Sequence, residues 1–325
     1  MAPVAFYGME FCFMETTASG MQGLLTGRTA IVTGAGRGIG RGEALALAAA
    51  GARVVVNDPG FDREARTTSN EPADKVVAEI IAAGGEAVAN YASASDWSGA
   101  EDLVNTAIDS FGRLDIVVNN AGVMKYQLLD DITEADFDML ISGNLRSAFA
   151  VCRFAAPIMR RQGYGRIINT ASNQWSAPQG NPHYVAAKGG VVSLTYELAW
   201  ELNGTGVTVN AVAPFAATRL TLEMAEADRR LKERNLLSER RLSAKEARAD
   251  PEMVAPIVVY LASEHASTVN GLVFRAGGGK IGVYQHPVEC RSIFRDESLG
   301  SWPLVDLLEL LPRTLLARDT VAPHI

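Results

Sequence analysis

Residues 28–40 read Arg28-Thr29-Ala30-Ile31-Val32-Thr33-Gly34-Ala35-Gly36-Arg37-Gly38-Ile39-Gly40. The first half is a short apolar, β-branched run that predicts a buried strand, and the Ala- and Leu-rich segment that follows predicts a helix to about residue 50. The glycines between them would let backbone amides approach a pyrophosphate at the helix N terminus. The stretch therefore predicts a β-α-β unit that binds a dinucleotide, with the candidate contacts Thr33, Gly34, Gly36, Arg37, Gly38, Ile39 and Gly40.

Strands and helices alternate along the rest of the chain. Apolar runs predict further strands at residues 52–58, 86–91, 114–119, 166–171, 207–212 and 271–276. Helices are predicted at residues 73–83, 99–111, 134–161 and 181–203, the last beginning with Asn181 as N-cap and Pro182 at the first helical position. Because strands that are apolar throughout are typical of sheets covered on both faces, we expect an α/β fold. The predicted architecture is a Rossmann-type, doubly wound sheet of seven parallel strands with helices on both faces.

The chain divides into three parts. Residues 1–20 form an N-terminal extension, interpreted as a disordered segment or an upstream start, because no basic region precedes its apolar part as in a signal peptide. Residues 21–285 contain no linker or repeat and are expected to form a single dinucleotide-binding and catalytic domain. Residues 286–325 form a C-terminal tail, whose Leu-rich part from 304 to 316 predicts a short helix packed on the domain or on a neighbouring subunit.

Composition argues against several classes of function. The formal net charge of −7 and the pI of about 5.3 argue against a nucleic-acid partner, which needs a basic face. No run of about 18 apolar residues predicts a transmembrane helix. The cysteines and histidines show no disulfide or metal-ligand spacing, so we expect no metal and a reducing, cytoplasmic location. These residues are Cys12, Cys152, Cys290, His183, His265, His286 and His324.

The choice of cofactor depends on two charged residues. Asp58 follows the second predicted strand, where a carboxylate accepts hydrogen bonds from the adenosine ribose hydroxyls. Its charge would repel the 2′-phosphate of NADP and so favours NAD. Arg37 in the glycine loop favours NADP instead, because a cation there would pair with that phosphate. We give Asp58 the greater weight, since its repulsion acts at the discriminating group, and expect NAD.

Tyr184 and Lys188 lie four residues apart on a predicted helix, so their side chains share one face. An ammonium group near a phenol favours the ionised form, which predicts that the pKa of Tyr184 is drawn down from about 10 toward working pH. Such a phenol can exchange a proton with an alcohol or a carbonyl. Since the same spacing occurs in many helices as an exposed pair, the hypothesis depends on the rest of the chain.

Several motifs occur together between residues 24 and 284. They are Thr33-Gly34-x3-Gly38-x-Gly40, Asn119-Asn120-Ala121-Gly122, Asn144, Ser172, Tyr184-x3-Lys188 and Asn210-Ala211-Val212-Ala213-Pro214. With this set the chain resembles the short-chain dehydrogenase/reductase family, which implies NAD(P)-dependent oxidation of an alcohol or reduction of a ketone. Some runs resemble dehydrogenase domains that act on D-3-hydroxyacyl-CoA and 17β-hydroxysteroids. These runs are Gly38-Ile39-Gly40-Arg41, Val54-Val55-Val56-Asn57-Asp58, Ala87-Val88-Ala89-Asn90-Tyr91 and Val254-Ala255-Pro256.

The resemblance implies a role for each of four catalytic candidates. Tyr184 would be the general acid/base, and Lys188 would hold the nicotinamide ribose hydroxyls and lower the pKa of Tyr184. Ser172 would hydrogen-bond the substrate oxygen, and Asn144 would anchor a water that relays protons to Lys188. Ser172 stands twelve residues before Tyr184, one fewer than is usual in the family, so Ser176 is a second candidate for the serine.

The same motifs imply further cofactor contacts. Ala121 and Gly122 would allow close approach of the cofactor, and Thr218 would bond the nicotinamide carboxamide. Ser93 would replace the adenine contact that relatives make through an Asp at the position of Ala92. The implied contacts beyond the glycine loop are Asp58, Ser93, Asn120, Ala121, Gly122, Tyr184, Lys188, Pro214 and Thr218.

The substrate would lie at the carboxyl ends of the strands, as ligands do in parallel α/β sheets. A mainly apolar lining there suits a hydrophobic alcohol or ketone. The candidate residues are Met124, Tyr126, Gln174, Trp175 and Leu220. Residues 223–250 carry seven acidic and eight basic residues and are either a solvated helix pair or a lid. In the second interpretation, Arg229 and Arg230 would meet the phosphates of an acyl-CoA.

Two other functions remain as alternatives. One is an NADPH-dependent carbonyl or ketoacyl reductase, which Asp58 disfavours. The other is a dinucleotide-sensing module without turnover, which the presence of Ser172, Tyr184 and Lys188 disfavours. The resemblance also implies a homodimer or homotetramer built on the two long helices, with a small-molecule substrate and neither a nucleic-acid nor a membrane partner.

Overall fold

Eight strands form one sheet in the computed structural model, which describes residues 23–61, 67–176, 180–216 and 250–317. The strands are β1 (Thr29–Thr33), β2 (Arg53–Asn57), β3 (Glu86–Asn90), β4 (Ile116–Asn119), β5 (Gly165–Thr170), β6 (Val207–Pro214), β7 (Val273–Gly277) and β8 (Lys280–Val283). Their order is β3-β2-β1-β4-β5-β6-β7-β8, and the first seven strands of the chain pair in parallel. This confirms the predicted doubly wound α/β sheet.

The prediction of seven strands is wrong by one, because β8 pairs antiparallel with β7 and forms an edge of the sheet. The two strands are joined by the two residues Gly278 and Gly279, and Gly278 has φ +57°. A Gly-Gly pair favours the tight hairpin turns whose central residues need positive φ. The glycine run therefore turns the chain back on itself directly after the last strand that the sequence predicts.

Eight α-helices lie within the described residues. They are α1 (Gly38–Ala49), α2 (Glu71–Ala82), α3 (Trp97–Phe111), α4 (Glu134–Ile141), α5 (Ser147–Gln162), α6 (Pro182–Glu201), α7 (Ala255–Ala262) and α8 (Leu304–Arg313). The short C-terminal helix expected in the Leu-rich stretch is present as α8. Helix α7 is not among the predicted helices, although Pro256 in its first turn is a helix-start signal.

The long helix predicted over residues 134–161 is interrupted. A π-helical turn, Ser142–Arg146, separates α4 from α5 and contains Asn144. The turn directs the Asn144 amide toward the carbonyls of Val123 and Leu140, each 2.9 Å from Nδ2. π-turns of this kind occur frequently at functional sites because they re-aim a side chain without ending the helix.

Helix α6 begins at Pro182, as predicted, but Asn181 does not cap it. The Asn181 side chain makes no capping hydrogen bond, and both of its polar atoms are buried without a partner. The side chain is turned into the protein rather than back onto the helix. Asn181 therefore lies at the predicted N-cap position, but the predicted capping hydrogen bond is absent.

The core lies on both faces of the sheet. Helices α1, α2 and α7 pack on one face through apolar residues such as Leu47, Ile80 and Val258, while α3 and α5 pack on the other through Leu103 and Met159. All five of these side chains are fully buried or nearly so. Because β1, β4 and β5 are parallel neighbours, their carboxyl ends meet at one edge, and the predicted site residues follow those ends.

Candidate active site

The ends of β1 and β4 are joined by hydrogen bonds from a short polar segment. The backbone amide of Ala121 donates to Thr33 Oγ1 over 2.9 Å, and Asn120 Nδ2 donates to the carbonyls of Thr33 and Gly34 over 2.9 and 3.2 Å. The order of the strands reverses between β1 and β4, and this is where doubly wound sheets bind their ligands. These bonds hold the glycine loop beside the segment that follows β4.

The glycine loop is packed too closely for side chains. A Cβ on Gly40 would lie 2.4 Å from both Asn120 Nδ2 and the carbonyl oxygen of Gly34, and a Cβ on Gly36 would lie 2.6 Å from Asp58 Oδ2. Gly34 also has φ +62°, a conformation that favours glycine. The loop therefore requires glycine at these positions, and its contact with a ligand phosphate stays a prediction.

Asp58 is buried against the loop. Its Oδ2 accepts from the Gly36 amide over 2.8 Å, and its Oδ1 accepts from the Gly60 amide over 2.7 Å. Each carboxylate oxygen retains a second lone pair for a ligand hydroxyl. These two hydrogen bonds thus hold the Asp58 carboxylate in place at the end of β2.

A cavity of about 380 Å³ lies beside the same loop and is lined in part by cationic side chains. Arg41 in this lining is paired with Glu79 and Glu252 at 2.5 and 2.9 Å. Within the described part of the chain, no carboxylate pairs with the other two cations of the lining, Arg37 and Lys75, which are both exposed. The lining thus combines these two cations with one carboxylate, that of Glu71.

Ser172 reaches Tyr184 despite the shortened spacing. The Ser172 hydroxyl lies close enough to the Tyr184 phenol to oppose the rise in its pKa, and it accepts from the Gln174 amide over 3.3 Å. The alternative candidate, Ser176, donates instead to the carbonyl of Asn173 over 3.4 Å. Both Ser172 and Tyr184 are buried, and a substrate oxygen beside them would meet two hydroxyl groups.

The prediction that Lys188 draws the pKa of Tyr184 below its usual value is wrong for the chain without a bound cofactor. Burial raises the pKa of Tyr184 to about 12, with the Ser172 hydrogen bond acting in the opposite direction. Burial also lowers the pKa of Lys188 to about 8. The Lys188 ammonium lies 5.9 Å from the Tyr184 ring centroid and donates to the carbonyl of Thr170 over 2.7 Å. The loss of hydration therefore outweighs the attraction that the helical spacing suggested.

Asn144 presents an unsatisfied acceptor to the same region. Its Nδ2 is used by the two carbonyls already described, while its Oδ1 is buried without a partner. A Cβ on Gly122 would lie 2.8 Å from this Oδ1 and 3.5 Å from Lys188 Nζ. The two polar atoms thus border one small space, which suits the predicted water next to Lys188.

The residues fit a nicotinamide dinucleotide. The glycine cradle at α1, the carboxylate of Asp58 and the unsatisfied Asn144 oxygen lie along the carboxyl edge of the sheet. Pro214 ends β6 at this edge. The Ser93 hydroxyl lies 2.9 Å from that of Ser95, in the loop after β3. Thr218 lies outside the described residues, and its predicted contact stays a prediction.

Three of the predicted substrate residues make side-chain contacts, two of them with each other and one with Tyr284. Gln174 Nε2 donates to the Tyr126 hydroxyl over 2.8 Å, which joins the loop after β4 to the loop after β5. Trp175 packs edge-on against Tyr284, with ring centroids 5.4 Å apart. Met124 is half-buried in the segment that precedes Tyr126.

Other predicted substrate contacts lie outside the described residues. They are Leu220 at the expected lining, and Arg229 and Arg230 in the expected lid. The predictions for these three residues stay predictions.

Sequence patterns did not reveal His183 or a nearby ion pair as parts of this region. His183 directly precedes Tyr184, is buried, and has two ring nitrogens without a partner. Burial lowers its pKa, with a smaller opposing effect from Asp136 and a further decrease from Lys125. Lys125 pairs with Asp136 over 2.5 Å and so joins the loop after β4 to the first turn of α4. The position of His183 directly before Tyr184 was the feature of the sequence that could have placed it in this region.

Metal-binding and membrane-spanning features are absent from the described ranges. In those ranges, no group of three His, Cys, Asp or Glu side chains is placed to hold a metal ion. No helix in them is long and apolar enough to cross a membrane.

Similarity to known proteins extends over most of the chain. Residues 28–229 match a family model described as short chain dehydrogenase. Peroxisomal multifunctional enzyme type 2 from Mus musculus is 41% identical over 257 residues, covering 79% of this chain and 32% of that protein, so the chain spans about a third of that relative's length. Hydroxyacyl-CoA dehydrogenase ChsB1 from Mycobacterium tuberculosis is 34% identical over 306 residues, covering 91% of this chain and 90% of that protein.

A solved structure agrees with these matches. A short chain dehydrogenase from Mycobacterium avium is 38% identical and superposes with a TM-score of 0.76, covering 93% of this chain and 98% of the other. A match of that extent cannot fit within residues 1–285, so it includes part of the C-terminal segment. The resemblance inferred from the sequence motifs is thereby confirmed.

Proposed function

This chain belongs to the short-chain dehydrogenase family, whose members oxidise or reduce at CH–OH groups, and from that premise we propose a specific reaction. The proposed activity is the NAD(H)-dependent interconversion of a hydrophobic secondary alcohol and its ketone. The observation that carries the proposal is the convergence of Ser172, Tyr184, Lys188 and Asn144, which come from three segments of the chain. A dinucleotide-sensing module would not need this set.

In the proposed reaction Tyr184 holds the proton that the substrate oxygen gains or loses. With a pKa of about 12 in the chain alone, its phenol is protonated at neutral pH, which is the form that donates to a ketone oxygen. Ser172 would hydrogen-bond the same oxygen and stabilise charge that develops there. When bound, the nicotinamide supplies or accepts the hydride.

Lys188 and Asn144 have supporting roles in this proposal. Lys188 would orient the nicotinamide ribose through its ammonium group, which Thr170 holds in place. Asn144 Oδ1 would hold a water beside Gly122, from which a proton could reach Lys188. Burial of both side chains excludes bulk water from this path.

For the cofactor we propose NAD. The fixed carboxylate of Asp58 supports this choice, because it would accept from ribose hydroxyls and repel a 2′-phosphate. The second candidate is NADP, and the specific observation in its favour is the cavity that Arg37 and Lys75 line without a described carboxylate partner. Asp58 remains the stronger argument, since it is buried and held by two amides whereas both cations are exposed.

For the substrate we propose a hydroxyacyl thioester of coenzyme A. Support comes from the Mycobacterium tuberculosis relative, which is named a hydroxyacyl-CoA dehydrogenase and matches most of this chain. The apolar contact of Trp175 with Tyr284 beside the catalytic serine would suit an acyl chain. Arg229 and Arg230 are the proposed partners of the coenzyme A phosphates.

The first experiment measures absorbance at 340 nm with NAD and with NADP against a panel of substrates. The panel holds hydroxyacyl-CoAs, hydroxysteroids, cyclic terpenoid alcohols and aryl ketones. Turnover of a hydroxyacyl-CoA with NAD is expected. Turnover of only a steroid or a terpenoid would reject the thioester, and a preference for NADP would reject the Asp58 argument. Tight NADH binding with no turnover on any substrate would support the sensing module.

A matched pair of substrates tests the coenzyme A contact. Arg229→Ala with Arg230→Ala should raise KM for a hydroxyacyl-CoA but not for the same acyl group on a short thioester. Equal effects on both substrates would reject the phosphate contact. A cytoplasmic location and assembly into a homodimer or homotetramer also remain predictions of this proposal.

A further inference from the structure

The loop after β4 carries the proposed substrate residue Tyr126, and one carboxylate of α4 is bonded to this loop on both sides of that residue. Asp136 accepts from Lys125 Nζ over 2.5 Å and from Gln127 Nε2 over 2.9 Å. Lys125 and Gln127 directly precede and follow Tyr126 in the chain. Their side chains are directed to Asp136, while the Tyr126 hydroxyl is directed to Gln174 on the segment after β5. Asp136 therefore constrains the backbone on both sides of a residue that contacts the candidate site.

Asp136 is itself held in a fixed position. It lies buried in the first turn of α4, and its backbone amide donates to the side chain of the N-cap residue, Thr133 Oγ1, over 3.2 Å. An acidic residue in the first turn of a helix is stabilised by the helix dipole. The hydrogen bonds from Lys125, Gln127 and Thr133 hold the pKa of the Asp136 carboxyl well below its usual range. The carboxylate therefore stays charged across the neutral and alkaline pH range.

The start of the same loop is held by the π-turn that follows α4. Asn144 Nδ2 donates to the Val123 carbonyl over 2.9 Å, and a Cβ on Gly143 would lie 2.7 Å from Val123 Cγ2. Helix α4 and the π-turn thus fix the loop at two points, one at Val123 and one at the two residues bonded to Asp136. Loss of the Asp136 carboxylate would release the part of the loop that contains Tyr126 and leave the earlier part attached.

Tyr126 connects this constraint to the proposed catalytic serine. Gln174 Nε2 donates to the Tyr126 hydroxyl over 2.8 Å, and the backbone amide of Gln174 donates to Ser172 Oγ over 3.3 Å. Gln174 is buried in the short 3₁₀ turn that follows Ser172, so these two bonds are shielded from water. Asp136 is thereby connected to the Ser172 hydroxyl through one loop and one turn.

The same ion pair acts on the residue before the proposed catalytic tyrosine. Burial is the main cause that lowers the pKa of His183, while Asp136 raises this pKa and Lys125 lowers it further. An uncharged imidazole does not compete with the Lys125 ammonium for the carboxylate at neutral pH. Because α4 packs against α6, the ion pair acts next to the helix of Tyr184 as well as on the loop after β4.

We propose that Asp136 is a positioning residue for the reaction at Ser172. By holding the backbone on both sides of Tyr126 it keeps Tyr126 against Gln174, and Gln174 keeps the Ser172 hydroxyl aimed at the substrate oxygen. The inference rests on the proposed function, because it assumes that Ser172 bonds that oxygen. The described hydrogen bonds of Asp136 lead to the loop after β4 and to its own helix N terminus rather than to the glycine loop. Its loss should therefore impair turnover and leave dinucleotide binding unchanged.

A purely structural role of Asp136 makes a different prediction. If Asp136 only stabilised α4, its loss would multiply the defect of any other variant by the same factor. If it acts through Gln174, the two residues belong to one chain of contacts and their effects are not additive. The double variant Asp136→Ala with Gln174→Leu separates the two cases. Asp138→Ala is the matched control, because Asp138 is an exposed carboxylate on the same helix.

The experiment measures kcat/KM for each variant of the full chain with the substrate of the panel that the wild type turns over fastest. Fluorescence titration measures NADH binding, thermal unfolding measures stability, and hydrogen exchange measures the opening of residues 123–131. Asp136→Asn is included because its single amide oxygen can replace only one of the two acceptor atoms of the carboxylate. This milder variant carries the test if Asp136→Ala does not fold.

Asp136→Ala should lower kcat/KM about tenfold in the wild-type background, since small displacements of reacting groups cost that much or more. In the Gln174→Leu background the same change should lower kcat/KM less than about twofold. The effect of Asp136→Asn should lie between those of Asp136→Ala and the wild type. Hydrogen exchange in residues 123–131 should increase, NADH binding should not change, and Asp138→Ala should behave as the wild type.

Equal losses of kcat/KM in the two backgrounds would overturn the proposal, as would a loss of NADH binding in Asp136→Ala. A wild type that turns over no substrate of the panel would reject the proposed function instead. Hydrogen exchange in residues 123–131 and 172–176 would then still decide whether Asp136 positions them. An increase in both ranges would support the positioning role, and exchange equal to that of the wild type would overturn it.

Discussion

The side-chain oxygen of Asn144 and the ammonium group of Lys188 face the same small space, the one that a side chain at residue 122 would fill. A Cβ on Gly122 would lie 2.8 Å from the first atom and 3.5 Å from the second. The glycine is therefore needed for the space itself, since its backbone shows no positive φ. This relationship links the Asn-Ala-Gly motif after β4 to two of the proposed catalytic residues, which lie on two other segments.

Gly122→Ala should therefore impair catalysis more than folding. The methyl group would displace Asn144 Oδ1 and occupy the proposed water position, and we expect kcat to fall roughly ten- to hundredfold. The matched control is Gly189→Ala, where a Cβ would meet no atom within 4 Å and helix propensity favours alanine. Steady-state kinetics and thermal unfolding measure both effects. Equal activity of the two variants would contradict the role of this space.

Tyr184→Phe should abolish turnover while leaving the dinucleotide site intact. The phenol is the proposed proton donor, and loss of a general acid/base typically costs about 10²–10⁴ in rate. Fluorescence titration should show NADH binding close to that of the wild type. Tyr260→Phe, at an exposed position on α7, is the control and should keep full activity. Undiminished turnover in Tyr184→Phe would remove this residue from the mechanism.

Ketone reduction should weaken as pH rises through about 8. Below that pKa Lys188 carries its proton, and above it the ammonium that would hold the cofactor ribose is lost. Tyr184, with a pKa of about 12, keeps its proton throughout this range. We expect kcat/KM, which reports the free enzyme, to fall about tenfold for each pH unit above 8.

The matched variant for this pH profile is Lys188→Arg, because a guanidinium stays charged up to high pH. Even with reduced activity, its kcat/KM should show no break between about pH 7 and about pH 10. A wild-type profile that is flat over that range, or a break that persists in Lys188→Arg, would contradict the assignment to Lys188.

Asp58→Asn should shift cofactor preference toward NADP. The amide keeps an oxygen that can accept from a backbone amide, but it removes the charge that would repel a 2′-phosphate next to Arg37. We expect the NADPH-to-NADH ratio of kcat/KM to rise about tenfold or more. Glu71→Gln removes a charge from the lining of the same cavity and is the control. Equal shifts in both variants would show that Asp58 has no special contact.

Glu43→Gln should stabilise the protein, and more strongly at higher pH. Glu43 is buried in α1 with one carboxyl oxygen unpartnered, and burial raises its pKa from 4.5 to about 8. The folded chain therefore holds a proton that the unfolded chain releases between pH 4.5 and 8, so stability of the wild type falls as pH rises through that window. Glutamine has no such proton to lose.

Between about pH 6 and about pH 8.5 the stability advantage of Glu43→Gln should grow by about 2–3 kcal/mol. Denaturant unfolding at both pH values measures the difference. Glu101→Gln, at an exposed position of α3, is the control and should differ little from the wild type at either pH. An advantage that shrinks with rising pH would contradict the buried, uncharged state of Glu43.

Much of the fold was predictable because it depends on neighbours in the sequence. Apolar runs with helices between them identified all seven parallel strands, and the glycine positions identified the closely packed loop between β1 and α1. Local signals failed where one stretch of sequence was compatible with two different local structures. The run from Gly277 to Gly279 has the composition of a strand end, although it forms a hairpin that places β8 at the sheet edge. The π-turn at Asn144 likewise has no pattern of its own in an otherwise helical segment.

The sequence by itself determined which chemical groups the protein has and roughly where each follows a strand, because spacing along helices and strands is a local property. Tertiary structure alone decided what surrounds those groups. Ser172 reaches Tyr184 across a loop one residue short, and burial raises the pKa of Tyr184 where the nearby Lys188 had suggested a decrease. Each outcome depends on hydration and on contacts between distant residues, which local spacing does not encode.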